Sequence, residues 1–252
     1  MFFNELELLD LKITEESPHV DKIFVVESSV TYSGIPKPIN FPAGKYASNP
    51  KVRYVLLGED RLKSCATPWD RERLQRNLPR ELIVPSDDDV WLVTDIDEIV
   101  NGEKIPNIVE CVRKYWYLAL DMKMYYYHID TLFPEDWNYP YAAIGHVARR
   151  YTFDQLRRDR KRVKPKRKMV NVGKHFSFLG GAENISLKLK SFSHTEYSGD
   201  KFSDVSVVRE RLDSLTDVCG RGHVMSVVDV DSSYPKTILD NPDAWNKYRY
   251  KH

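Results

Sequence analysis

The sequence predicts an α/β protein, with helices layered on a mostly parallel central sheet. Two observations carry this. Short apolar runs rich in β-branched residues recur along the chain, and stretches with apolar residues at helical spacing fall between them. A third observation points to the ligand edge of such a sheet, because an acidic, base-free stretch follows directly on one of the apolar runs.

Taken in order, residues 4–14 read as a helix, with Leu6, Leu9 and Ile13 at helical spacing. Residues 22–27 read as the first strand, and residues 52–57, closed by Gly58, as the second. Residues 68–80 read as a helix with Thr67 as N-cap, Pro68 at its first position, and Leu74 and Leu78 four apart. The third strand, 90–94, runs into the acidic cluster; a helix over 106–114 and an extended stretch over 117–128 follow. Residues 184–190 read as a further helix. No internal repeat and no Gly/Ser/Pro-rich linker divides the chain. Residues 1–252 therefore read as one domain, with a basic flexible segment at about 154–170.

The chain has 252 residues, 38 Lys or Arg against 37 Asp or Glu, 42% hydrophobic and 12% aromatic residues, a composition that excludes a disordered chain and supports a sizeable core. Its longest apolar run, residues 115–120, is far short of the ~20 residues that span a bilayer. The N-terminus lacks the basic and apolar regions of a secretory signal, so a cytoplasmic location is expected. Cys65, Cys111 and Cys219 include no close-spaced pair and read as reduced packing residues.

Near-neutrality hides an asymmetry. Residues 149–168 carry eleven Arg or Lys and two Asp, a local +9 that leaves the other 232 residues at −8, while residues 86–103 hold seven acids and no base. Within the acidic stretch, Trp91-Leu92-Val93-Thr94-Asp95-Ile96-Asp97-Glu98 is an apolar strand ending in Asp-x-Asp. On a strand, residues two apart share a face, so Asp95 and Asp97 would aim both carboxylates at one place. A hard divalent cation relieves their repulsion and leaves sites open for phosphate oxygens. The competing reading is an acidic turn that caps the next helix. A strand ending in Asp-x-Asp also opens the haloacid-dehalogenase-like phosphatases, but there the motif stands near the N-terminus, whereas here more than ninety residues precede it.

Further blocks carry a resemblance. Leu8-Leu9-Asp10-Leu11, Val20-Asp21-Lys22-Ile23-Phe24-Val25-Val26-Glu27-Ser28 and Tyr32-Ser33-Gly34-Ile35-Pro36-Lys37-Pro38 precede Trp69-Asp70-Arg71-Glu72 with Arg76-Asn77. Asp95-Ile96-Asp97-Glu98-Ile99, His175-Phe176-Ser177-Phe178-Leu179-Gly180-Gly181 and Ser191-Phe192-Ser193-His194-Thr195-Glu196-Tyr197 follow. In this order they resemble glycosyltransferase family 17, the family of β-1,4-mannosyl-glycoprotein β-1,4-N-acetylglucosaminyltransferase-like enzymes, which has bacterial and viral members. Residues 129–168 match it poorly.

The resemblance implies a GT-A type α/β/α sandwich that binds a nucleotide-sugar, UDP-N-acetylglucosamine, through Mn²⁺ or Mg²⁺ and transfers the sugar with inversion to a glycan or other hydroxyl acceptor. On that reading Asp97 ligates the metal, Asp95 supports the metal or the donor, and His194 is the third protein ligand. The acceptor hydroxyl needs a base. Glu183, after Gly180-Gly181-Ala182, is the first candidate and Glu98 the second. Glu27 and Ser28 at the end of the first strand, Arg76, and Lys190 are candidate donor contacts, each with a plain structural reading beside it. The resemblance also marks departures: Val100 stands where relatives carry proline, and Lys174 precedes His175 where tryptophan is common.

The basic run has three readings: a mobile loop beside the donor site, contact with an anionic membrane surface or acceptor through residues 157–168, and nucleic acid. Nucleic acid is the least supported, since only Tyr151 and Phe153 supply stacking surface. A fold-sharing nucleotide-sugar-binding protein that has lost the chemistry is the non-enzymatic alternative.

Overall fold

The computed structural model describes residues 1–159 and 167–251. Among these described residues, eleven strands are distributed over three sheets: β1 (Ile23–Ser28) and β2 (Val52–Leu57) in the first; β11 (Ser226–Val227), β7 (Thr131–Leu132), β6 (Lys123–Tyr126), β10 (Gly173–Ser177) and β4 (Glu98–Val100) in the second; β3 (Val90–Val93), β8 (Tyr141–Ile144), β5 (Tyr117–Leu120) and β9 (Lys168–Met169) in the third.

The α/β class is observed, and the sheets are mixed. β1–β2, β6–β10 and β5–β9 pair parallel, whereas β4–β10, β7–β11, β3–β8, β5–β8 and β6–β7 pair antiparallel. For the β6–β7 pair the antiparallel direction has a simple cause. A parallel return needs a crossover of a dozen or more residues, and only four residues separate β6 from β7. The extended stretch expected over 117–128 is likewise cut in two: Asp121 and Met122 separate β5 from β6, which enter different sheets.

Alternation within strands explains why both larger sheets are covered on two faces. In the third sheet Leu118, Leu120, Ala142 and Ile144 meet helix Ile105–Tyr115 through Ile105, Ile108 and Val112. Tyr117, Ala119, Tyr141 and Ala143 meet helix Phe153–Arg158 through Phe153 and Leu156. In the second sheet Met124 and Tyr126 pack with Ala182, Ile185 and Leu189 of helix Gly181–Ser191 and with Val208 of helix Val205–Asp213. Tyr125, Phe176 and Ile99 pack with Leu8 and Leu11 of helix Leu6–Glu16 and with Tyr234, Ile238 and Trp245 of the C-terminal segment. On that face Lys174 is buried, its ammonium 4.8 Å from the Tyr234 ring and 2.8 Å from Ser233 Oγ, and burial lowers its pKa to about 8.

Two features position the strand that opens with Glu98. Helix Leu6–Glu16 buries its charges against it. Lys12 Nζ donates to the Glu98 carbonyl at 2.8 Å, the Val100 amide donates to Glu16 at 3.0 Å, and the Gly102 amide to Glu15 at 2.9 Å. Gly173 lets β10 approach β4 closely, since a Cβ there would stand 1.9 Å from the Ile99 carbonyl oxygen. Helix Pro68–Asn77 begins with the expected Thr67 cap, a reciprocal capping box with Asp70, and ends before Pro79. Gln75 of that helix donates to the Val26 carbonyl at 2.7 Å and so sets the helix against β1.

Candidate active site

β3 lies in the third sheet and β4 in the second, so the Asp95-Ile96-Asp97 segment is the turn by which the chain passes from one sheet to the other. Asp95 and Asp97 are therefore turn residues and not strand neighbours. The turn closes on itself: the Glu98 amide donates to the Asp95 carbonyl at 3.2 Å, and the Asp95 amide donates to the Glu98 carboxylate at 2.6 Å. The Phe176 amide, donating to the Asp97 carbonyl at 2.8 Å, fastens the turn to β10.

Each aspartate is held from one side. Asp95 Oδ2 accepts from Arg157 at 2.9 Å and Arg76 at 3.4 Å. Asp97 Oδ2 accepts from Lys188 at 2.8 Å and lies 3.4 Å from His175 Nε2. Among the described residues, Oδ1 of either aspartate accepts no side-chain hydrogen bond; the Met1 amino group is 3.9 Å from Asp95 Oδ1. The side chains of Asp95 and Asp97 remain 22% and 10% exposed. Burial works against ionisation of both carboxyls and is outweighed. Arg157 and Arg76 hold Asp95 well below the usual carboxylate range, and Lys188 and His175 do the same for Asp97. Both are anionic at neutral pH.

These observations test whether a divalent cation fits. Two ionised carboxylates, each with one oxygen tied back and the other open, are the hard oxygen donors that Mn²⁺ or Mg²⁺ takes. In the ion pairs around the turn Glu5, Glu72, Asp95, Asp97 and Glu98 meet Arg76, Arg157, Lys188 and the Met1 amine, with His175 beside Asp97. The residues fit the ion. No group of three His, Cys, Asp or Glu side chains is gathered as metal ligands among the described residues.

The other expected site residues fall in two sets. Arg76 is brought to the centre, with Glu72 at 2.7 Å and Asp95 at 3.4 Å. Its buried Nε has no hydrogen-bond partner. Glu98 is 0% exposed and accepts from Trp137 Nε1 at 2.5 Å and Arg157 at 2.8 Å besides the Asp95 amide, which makes it a positioning residue. Glu27 faces inward and accepts from Lys37, the Asn40 and Phe41 amides and the Tyr54 hydroxyl, so its carboxylate organises the 37–41 loop. Ser28 Oγ accepts from the Val30 amide in a local turn. Glu183, 70% exposed on the first turn of its helix, pairs with Arg209 at 2.6 Å. Lys190 is exposed on the same helix, near Asp204. His194 Nδ1 is 2.7 Å from Glu196, in a segment that reaches Asp95 indirectly: Ser193 donates to Glu72, Glu72 pairs with Arg76, and Arg76 with Asp95.

Arg157, Lys188, Glu72, Trp137 and Tyr139 are the site residues that pattern reading missed. Arg157 belongs to the segment expected to be flexible. The beginning of that segment is helix Phe153–Arg158, with Phe153, Leu156 and Arg157 buried, because the other face of the third sheet needs a cover. Its far end, Lys168–Met169, is β9, where Lys168 pairs with Asp121 at 2.7 Å. Residues 160–166 lie outside the described residues. The signal for Arg157 was present: it stands four residues after Phe153 and beside Leu156, on the apolar face of a helix that opens with a Thr152–Gln155 capping box. The Arg157 guanidinium also stacks 5.2 Å over Tyr139, which stacks 4.4 Å from Trp137.

Two ionised carboxylates lie on the turn where two sheets meet, and comparison with known families gives the class: the matched model is one of glycosyltransferases, covering residues 1–225. The chain belongs to glycosyltransferase family 17. No curated protein and no solved structure matches it. The C-terminal segment from β11 onward lies beyond the matched residues. No described helix is long and apolar enough to cross a membrane.

Proposed function

We propose that the protein transfers N-acetylglucosamine from UDP-N-acetylglucosamine to a hydroxyl of a glycan acceptor, inverting the anomeric carbon, with the Asp95–Asp97 turn as the donor centre. The observation that carries this is the pair of open Oδ1 atoms on two carboxylates whose Oδ2 atoms are held by cations. Asp95 and Asp97 would hold Mn²⁺ or Mg²⁺, which supplies positive charge opposite the diphosphate that leaves as UDP. Arg76, with an unpaired buried N–H, and Lys188, 23% exposed between Asp97 and Glu5, are the chain's own donors for phosphate oxygens.

Glu98 and Arg157 keep the turn in shape so that these groups do not reorganise as charge develops. Glu183 is the proposed base. Its carboxylate is open to solvent at the start of the helix that brings Lys188 to Asp97. The family assignment lends no support to the phosphatase or to a binding protein without chemistry.

Incubation with Mn²⁺, a mixed glycan acceptor pool and a panel of nucleotide-sugars is expected to release UDP from UDP-N-acetylglucosamine. In the same assay Glu183→Gln is expected to slow transfer by about 10²–10⁴-fold, the range of general base catalysis, with thermal stability unchanged. Free phosphate from simple esters would contradict the reading, as would full activity of Glu183→Gln the base assignment.

A further inference from the structure

Trp69 is 42% exposed at the start of helix Pro68–Asn77. Trp69, Glu72 and Arg76 stand at i, i+3 and i+7, so one helix face leads from the exposed indole to the buried guanidinium on Asp95. Seven residues of helix rise about 10 Å. The indole therefore stands about that far along the helix from Arg76, with Glu72 between them. Facing Trp69 is the segment after helix Gly181–Ser191. The His194 ring lies 4.8 Å from the indole at 85°, and its Nδ1 is 2.7 Å from Glu196 Oε1. The hydrogen bond from Ser193 to Glu72 fastens this segment to the helix face.

We propose that Trp69, His194 and Glu196 form the subsite for the acceptor, laying a pyranose ring on the indole with its hydroxyls against the imidazole and the carboxylate. The assignment rests on the reading of the Asp95–Asp97 turn as the donor centre. A pyranose offers an apolar C–H face and a rim of hydroxyls. Indole supplies a flat apolar surface with little conformational entropy to lose, and a carboxylate beside an imidazole supplies both acceptor and donor. The carboxylate of Glu196 disfavours a phosphate at this surface. The acceptor hydroxyl would then approach the donor sugar from the Trp69 side.

The test uses methyl pyranosides of glucose, mannose, galactose and N-acetylglucosamine as probes. Their binding is read by saturation-transfer NMR without metal or donor, alongside calorimetric UDP binding in the presence of Mn²⁺. At least one glycoside is expected to bind the wild-type protein. Trp69→Ala should weaken it tenfold or more, Trp69→Phe should retain part of the affinity, and UDP affinity should stay within twofold in both. In transfer assays Trp69→Ala should raise the acceptor KM tenfold with a smaller change in kcat. The subsite is refuted if no glycoside binds the wild type, if Trp69→Ala binds it equally well, or if UDP affinity falls with glycoside affinity. Absence of UDP binding by the wild type would instead sink the donor reading, an outcome the glycoside arm registers separately.

Discussion

Asp97→Asn is expected to lower Mn²⁺-supported UDP release by about a hundred- to a thousand-fold, the scale seen when one charge-stabilising group is lost from a transition-state site. The substitution keeps the side chain's shape and an oxygen that Lys188 can donate to, so the fold should persist. What it removes is an anion. Burial opposes the charge on Lys188, and the attraction of Asp97 outweighs it and raises that ammonium's pKa. Without Asp97, Lys188 keeps Glu5, 3.4 Å away, as its counter-ion. The pH dependence has a definite sign. Asp95 and Asp97 have folded-state pKa values below that of an unfolded aspartate, so their ion pairs stabilise the fold fully above about pH 4 and lose that contribution as pH falls through the depressed values. Thermal melts from pH 6 down to pH 2.5 should therefore fall less steeply for Asp97→Asn than for the wild type.

Arg157→Met is expected to be the most destabilising single change at the site, at about 3–5 kcal/mol, since it strips a fully buried carboxylate of its guanidinium. Glu98 has no access to water, and Arg157 is its only charged partner among the described contacts. For a chain of this size that loss corresponds to roughly 6–20 °C in Tm. The second change Glu98→Gln should recover part of it, because it removes the buried unpaired charge, although its single amide oxygen can accept from only one of the Asp95 amide and the Trp137 indole N–H. Equal Tm values for Arg157→Met and the wild type would show that the ion pair does not hold the turn.

The elements whose residues are local in sequence were legible before the structure. Thr67 with Pro68 announces a helix start through capping geometry alone, and β-branched runs announce β1, β2 and β3. The aspartate pair was legible because its apolar strand precedes it directly. Strand direction was not, since β8 enters between β3 and β5 only once the third sheet assembles. Nor was the internal use of Glu27, whose donors lie 10 to 27 residues away in sequence. Arg157 shows the same limit from the other side. Composition marks it as one cation in a solvated run, and only the cover of the third sheet turns it inward to Asp95 and Glu98. Charge counted along the chain therefore misassigns the residue that the folded site depends on most for its shape.

On the proposed reading, Asp95 and Asp97 together hold a divalent cation beneath the donor's diphosphate. Titration of Mn²⁺ followed by electron paramagnetic resonance, with and without UDP, measures this directly. The wild type is expected to bind one Mn²⁺, more tightly in the presence of UDP, and Asp95→Asn and Asp97→Asn are each expected to weaken it by tenfold or more while the protein remains folded. Unchanged Mn²⁺ affinity in both variants would contradict it.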